Sequence, residues 1–286
     1  MVDILWIVLI VVVVLIVLFL LCVKPRNQAI HDWKPYQEAL YAHRGLHDKK
    51  KGIPENSMAA FGRAVEAGYG IELDVQLTKD RIPVVFHDFT LERMTGQPGK
   101  VYDYTLEEIQ KFRLGGTDEQ IPTFEEFLKL VDGKVPLIIE YKVEWMDFSV
   151  CPIADKLLKD YNGSYVIESF NPLALSWYRK NRNEIIRGQL SDKFRRKDGY
   201  KGMLYFLLKH LMLNWMTRPD FIAYNHEHTS DLGFLAATKF FKGKPVAWTI
   251  RSQAELDKAK ENFDIFIFEQ FTPNNRSIVH IGEKNR

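Results

Sequence analysis

The sequence predicts a TIM-type (β/α)8 barrel preceded by a single N-terminal transmembrane helix. Three observations carry that expectation. Short runs of strand-forming residues recur between residues 40 and 268, and most are separated by enough chain for a helix, the alternation of a parallel sheet. About eight such units over roughly 245 residues suit a closed barrel better than an open doubly wound sheet. Ahead of them stands a long stretch without a single charge.

That stretch, residues 4–23, reads ILWIVLIVVVVLIVLFLLCV. At about 1.5 Å per residue it reaches about 30 Å, the thickness of a hydrocarbon core. A cleaved signal would bring a basic start, a shorter apolar core and small residues before the cut, and none is found here. Asp3 precedes the segment and Lys24, Arg26 and Lys34 follow it. The positive-inside rule therefore places a single-pass protein in the cell membrane with its bulk in the cytoplasm. Cys22 lacks the small residues that precede a lipidated cysteine and reads as an apolar membrane residue. Pro25 and Pro35 mark a linker, which divides the chain into an anchor and linker over 1–35 and a barrel domain over 36–286.

Within that domain the expected strands are LYAHR (40–44), IELDV (71–75), IPVVFH (82–87), PLIIEYK (136–142), SYVIESF (164–170), IIRGQL (185–190), DFIAYN (220–225), VAWTI (246–250) and IFIF (265–268). The link from Val75 to Ile82 is too short for a parallel crossover, so one of that pair is expected as an antiparallel partner outside the eight barrel strands. Between strands, SMAAFGRAVEAG opens on Ser57 and closes on Gly68. TLEEIQKF and TFEEFLKLV open on Thr105 and Thr123 with Glu108 and Glu126 three residues on, the spacing of a capping box.

Composition narrows the partners. Basic residues number 39 against 37 acidic ones, which gives no general polyanion-binding signature, although the charge is unevenly spread, and argues against nucleic acid as a partner. Of the two cysteines one lies in the apolar segment, so an internal disulfide is not expected, in keeping with a reducing compartment.

IELDV raises the chemical question. Alternate residues of a strand face opposite sides, so Glu72 and Asp74 share one face while Ile71, Leu73 and Val75 share the other. With Cα atoms about 6.6 Å apart, the two acids can converge on one cation. A barrel keeps its active site at the carboxyl ends of its strands, and polar residues gather there in this sequence. His43 and Arg44 end the first run, Glu72 and Asp74 lie late in the second, His87 and Asp88 end the third, and Glu140 and Lys142 end the fourth. Singly they read as a core histidine, a rim arginine or a solvated acid; gathered at one end they read as a site.

AHRG (42–45), PENS (54–57), IELDVQLTKD (71–80), VVFHD (84–88), IPTFEEFL (121–128) and IEYK (139–142) occur in an order and spacing that resembles the glycerophosphodiester phosphodiesterase family. The resemblance is densest over residues 41–142 and thins to ESF (168–170) and AWTI (247–250). It implies a barrel of the phosphatidylinositol-specific phospholipase C type and metal-dependent hydrolysis of glycerophosphodiesters to an alcohol and glycerol 3-phosphate. Glu72, Asp74 and Glu140 are then the metal ligands, and their hard oxygens suit Mg2+ or Ca2+ rather than Zn2+. His43 and His87 are the implied acid and base, in an order the sequence leaves open. Arg44 offers the phosphate a planar fork and Lys142 a point charge. Glu55 and Asn56 organise the site or bind substrate, and Trp248 either lines the alcohol pocket or packs in the core. Water or the glycerol 2-hydroxyl can serve as nucleophile, the latter through a cyclic phosphate.

Two departures bear on the alcohol pocket. NFDIFIFEQFTP (262–273) is bulky where the family carries a Gly-rich stretch with Thr-Asp, and puts Glu269 near the expected aspartate; Arg251 follows AWTI where asparagine is common. In addition, KFRRKDGYKGMLYFLLKHLMLNWMTRP (193–219) holds an apolar run over 203–216 that is too short to cross a bilayer. It is either a shell helix or an interfacial helix, held by Lys193, Arg195, Arg196 and Lys197 against anionic head groups. The interfacial reading adds membrane lipid as a partner and lysophospholipids or phospholipids as substrates. The reading from another class is a catalytically inert barrel serving as a membrane-anchored lipid-binding or scaffolding module.

Overall fold

The computed structural model describes residues 2–26, 32–194 and 199–275. Its strands are β1 (Leu40–His43), β2 (Gly70–Leu77), β3 (Pro83–Val85), β4 (Leu137–Tyr141), β5 (Tyr165–Ser169), β6 (Arg187–Ser191), β7 (Phe221–Asn225), β8 (Lys244–Ile250) and β9 (Ile265–Phe268). All but β3 are parallel neighbours in the order β1-β9-β8-β7-β6-β5-β4-β2, and β1 pairs with β2 to close the cylinder. β3 lies antiparallel on β2 with Val75 opposite Val85, as the short link demands. Each expected strand is present, displaced by at most two residues at its ends.

The pleat sorts the residues of each strand. Outward-facing Ala42, Ile71, Leu73, Val75, Ile139 and Ile167 join Phe61 and Phe127 of the shell helices in one large apolar cluster. The lower interior of the cylinder is also apolar, filled by Tyr41, Ile138, Val166, Phe221, Val246 and Ile265. Gly188 has no side chain because a Cβ there would meet the Phe221 ring at 2.0 Å. One or two pleats higher on the same strands stand His43, Glu72, Asp74, Glu140 and Glu168. The barrel thus has a dry floor and a charged mouth.

Helix signals behave as their chemistry requires. Ser57 caps Met58–Ala67 by accepting from the Ala60 N–H, and Gly68 ends it at φ 73°. Thr123 and Glu126 form a reciprocal capping box on Phe124–Val131, as do Thr105 and Glu108, although TLEEIQKF yields only the short helix Leu106–Ile109.

The apolar run over 203–216 is not one helix. It divides into Met203–Lys209 and Asn214–Thr217, broken where Leu211, at φ 56°, turns a 1% exposed side chain into the core. The His210 carbonyl presses there on Gly233, where a Cβ would lie 2.3 Å from its oxygen. Lys193 of the basic cluster is described; Arg195, Arg196 and Lys197 lie outside the described residues.

The N-terminal helix Val2–Val23 projects from the barrel with most of its described side chains exposed, and only its last turn is packed. The chain after it is fastened down. Asn214 Nδ2 donates to the Val23 carbonyl (3.0 Å) and the Arg26 N–H to the Pro219 carbonyl (2.9 Å). Trp33 then packs edge-on against Phe221, and Tyr36 donates to the Tyr165 carbonyl, which together close the amino end of the cylinder.

Candidate active site

β1 delivers His43 to the mouth, and the chain turns at once through Arg44 (φ 56°) and Gly45 (φ 80°). A Cβ on Gly45 would sit 2.9 Å from Ala60, so the turn needs glycine both for its conformation and for its room. The turn aims the Arg44 N–H at Glu72 Oε2 (3.1 Å). PENS folds back onto it: the Asn56 N–H donates to the Arg44 carbonyl, and Asn56 Nδ2 donates to Asp74 Oδ2 (2.9 Å).

Glu72, Asp74 and Glu140 are buried, and each offers an oxygen within 4.8 Å of the others. Strand register places them: Asp74 of β2 lies opposite Glu140 of β4, and Glu140 opposite Glu168 of β5. Lys142 Nζ lies 3.0 Å from Asp74 Oδ1 and 2.8 Å from Glu140 Oε1. Burial, followed by the charges of Asp74, Glu140 and Glu168, pushes Glu72 well above the usual carboxylate range. Burial would lift Asp74 too, but Lys142, His87 and Arg44 hold it well below that range. Lys142 stays charged because Asp74 and Glu140 outweigh its desolvation. Glu168 Oε2 is buried without a hydrogen-bond partner. Four buried carboxyl groups thus share few cations, and converging hard oxygens with surplus negative charge fit a divalent metal ion.

Both imidazoles carry a carboxylate on the same nitrogen. His43 Nδ1 is 2.6 Å from Glu269 Oε2, and His87 Nδ1 is 2.6 Å from Asp88 Oδ1. A carboxylate there favours the N–H on Nδ1 and leaves Nε2 as the working atom. Burial lowers the His43 pKa to about 4 against the pull of the Glu269 hydrogen bond, so the ring is neutral at pH 7. Burial works against the Glu269 charge, but the hydrogen bond from His43, the His47 imidazole 3.8 Å away and the Arg251 charge hold it well below the usual range.

A chain of charged hydrogen bonds frames the opening. Arg44 Nη1 donates to Glu55 (2.6 Å), Arg93 donates to both Glu55 and Asp88, and Asp88 returns to His87. Glu55 is therefore a brace between two arginines. Next to it a cleft of about 770 Å³ opens between the turns after β1 and β9, with Glu269, His47 and Arg63 on its walls.

The mouth brings together His43, Arg44, Glu55, Asn56, Glu72, Asp74, His87, Glu140 and Lys142. Trp248, on β8, has no side-chain hydrogen bond to this group. It packs edge-to-face on Phe170 (5.7 Å), which meets Phe194, which in turn meets Tyr200 and Tyr205 in an aromatic row. The sequence reasoning places Asp88 at a strand end and Glu269 near the family's aspartate without giving either its orienting role, and it does not reach Arg93. Asp88 and Glu269 stand just past strand carboxyl ends, the signal that identified the others; Arg93 gives no signal.

A closed parallel barrel whose mouth holds converging buried carboxylates and two carboxylate-paired imidazoles defines a TIM-barrel protein with a hydrolytic type of centre. The chain belongs to the glycerophosphoryl diester phosphodiesterase family, whose profile matches residues 43–263. It is 43% identical over 152 residues to the glycerophosphodiester phosphodiesterase of Caldanaerobacter subterraneus, a match covering 49% of this chain and 60% of that one. It is 38% identical over 113 residues to human glycerophosphodiester phosphodiesterase 1, covering 36% and 33%. The chain therefore matches less than two thirds of the length of these relatives. Among solved structures, an Oleispira antarctica phosphodiesterase in complex with the product sn-glycerol-3-phosphate aligns with TM-score 0.63 and 25% identity over 80% of this chain and 92% of that one. The Thermotoga maritima glycerophosphodiester phosphodiesterase shares the fold, with TM-score 0.61 and 24% identity over 80% and 94%.

Proposed function

We propose that the protein hydrolyses glycerophosphodiesters to an alcohol and glycerol 3-phosphate, using Mg2+ or Ca2+ held by Glu72, Asp74 and Glu140. The convergence of these three carboxylates beside His43 and His87, in a chain of this family, is the observation that carries the reading. Held there, a divalent cation would supply charge neutralisation for the phosphoryl group and a template for the diester.

The chain's own residues do the rest. Arg44, braced by Glu55, presents its planar guanidinium to a second phosphoryl oxygen, and Lys142 adds a point charge from inside. His43 and His87 divide the proton work through their Nε2 atoms, one taking the proton of the attacking hydroxyl and the other protonating the departing alkoxide. Asn56 fixes Asp74 through its 2.9 Å hydrogen bond. Trp248 and the aromatic row behind it form the wall against which the alcohol moiety rests. This wall extends the reach of the site to acylated diesters, the lysophospholipids.

The helix Val2–Val23 anchors the barrel domain, with Lys24 and Arg26 on the cytoplasmic side. The test is release of choline or ethanolamine and glycerol 3-phosphate from glycerophosphocholine and glycerophosphoethanolamine, with and without chelator. Turnover lost on chelation and restored by one divalent ion is expected. No turnover of any diester at any metal concentration would leave the inert lipid-binding barrel as the better reading.

A further inference from the structure

We infer that the catalytic mouth faces the bilayer, so that the site draws a diester from the lipid surface rather than from the bulk. The inference rests on reading Val2–Val23 as a bilayer span and adds the side of the barrel from which that span leaves.

The direction follows from contacts. Ser191 Oγ, at the carboxyl end of β6, donates to the Leu208 carbonyl (2.8 Å), and the Tyr224 hydroxyl, near the end of β7, donates to the Lys209 carbonyl (3.3 Å). Residues 208–209 are therefore level with the mouth. Arg187, the first residue of β6, donates to the carbonyls of Thr217 and Arg218, so these are level with the amino ends. The chain from 209 to 218 thus descends the outside of the barrel. The anchor runs beside it in the same sense: Val23 meets Asn214, Lys24 meets Arg218, and Arg26 meets Pro219. Moving forward from residue 23 leads toward the floor, so the helix behind residue 23 rises toward the mouth.

The surface agrees with that direction. Loops leaving the carboxyl ends of β4, β6 and β7 carry Trp145 (84% exposed), Met146, Met203, Leu204, Phe206 and Leu232 at the surface. At the opposite end the described residues expose fewer: Trp215 and Phe240 on the segments leading into β7 and β8, beside the end of the anchor helix, and none on the loops leading into β4, β5 or β9. Monomeric surfaces seldom gather this much apolar area on one rim. Lys193 and Lys201 precede Met203–Lys209, Lys209 ends it, and all three suit anionic head groups. The row Trp248, Phe170, Phe194 and Tyr205 links this rim to the interior of the mouth, which gives an acyl chain a continuous apolar path.

The test uses the full chain in liposomes of phosphatidylcholine and phosphatidylglycerol in equal amounts, with Cys22 and Cys151 replaced by serine. A fluorophore is placed in turn at Leu9→Cys in the anchor, Met203→Cys and Trp145→Cys on the rim, and Lys134→Cys on the opposite end. Nitroxide-labelled lipid is expected to quench the Leu9, Met203 and Trp145 probes and to spare the Lys134 probe. Quenching at Leu9 with equal or stronger quenching at Lys134 than on the rim overturns the orientation alone. No quenching at Leu9 overturns the anchor and the orientation with it. Rim probes shielded in proportion to protein concentration and not to lipid mark a protein partner and also overturn the proposal. A Met203→Asp, Leu204→Asp, Phe206→Asp variant keeps the soluble-diester rate and loses about tenfold or more on vesicle-borne lysophospholipid; an equal loss on both substrates overturns it.

Discussion

Glu269 Oε2 lies 2.6 Å from His43 Nδ1, so the residue that follows the last barrel strand orients the imidazole that ends the first. Arg251 Nε holds the other oxygen of the same carboxylate at 2.8 Å. Closure of the barrel between β9 and β1 is what makes this pair possible. Glu269→Ala should lower kcat by about 10- to 100-fold with KM little changed, because the imidazole loses its tautomer and aim but no substrate contact is removed. Arg251→Ala should cost less, since His43 keeps its partner. Steady-state kinetics on glycerophosphocholine checks both, and equal kcat in the wild type and Glu269→Ala would remove the orienting role.

Glu72 is buried among three other carboxyl groups and accepts one backbone hydrogen bond, from Arg44. In the metal-free protein its neighbours oppose its charge. Glu72→Gln keeps an oxygen for the Arg44 N–H and removes the repulsion, so the metal-free Tm should rise, by about 2–4 °C for each kcal/mol relieved. Metal binding and turnover should fall by about 100-fold or more in the same variant. Thermal melts in chelator and calorimetric titration with Mg2+ and Ca2+ read the two effects, and a lower Tm in chelator would contradict the charge argument.

Thr123 caps the helix that packs Phe124, Phe127 and Val131 behind β2 and β3, and it shares a reciprocal box with Glu126. Thr123→Ala leaves the Glu126 N–H without its side-chain acceptor. The expected cost is about 1 kcal/mol, a Tm drop of about 2–4 °C. kcat should change little, because the helix packs on the outer side of the barrel and the Thr123 side chain bonds only to its own first turn.

Much of this architecture was legible because it is written in local patterns. The period-2 alternation of IELDV separates Glu72 and Asp74 from their apolar neighbours, and the short link to Pro83 makes β3 the antiparallel outsider. The capping boxes are four-residue signals. The roles of Asp88 and Glu269 were harder to see, because a carboxylate that serves a histidine is chosen by through-space geometry. Glu269 reaches a residue 226 positions away, and only barrel closure says so. Arg93 sits on a short helix outside the strand pattern and is defined solely by Glu55 and Asp88. The break at Leu211 was equally hidden, since an apolar run gives no local reason to stop; the stop comes from the core that receives Leu211 and from Gly233 opposite His210.

Lys142 is the ion that holds the carboxylates together in the metal-free protein, at 3.0 Å from Asp74 and 2.8 Å from Glu140. Its side chain is 8% exposed, so removing it leaves buried charges without their partner rather than returning them to water. Lys142→Met should therefore destabilise the chelated protein by about 3–5 kcal/mol, the cost of breaking a buried pair. A divalent cation placed among the same oxygens takes over that compensation. The stabilisation on adding saturating Mg2+ or Ca2+ should accordingly be larger in Lys142→Met than in the wild type, since metal binds the folded state only. Turnover should remain well below wild type even with metal, because the phosphate has lost a positive contact. The measurement is Tm with chelator and with metal for both proteins. A metal-induced shift of the same size in each would mean that lysine and cation do not share these carboxylates, and the assignment of Asp74 and Glu140 as ligands would go with it.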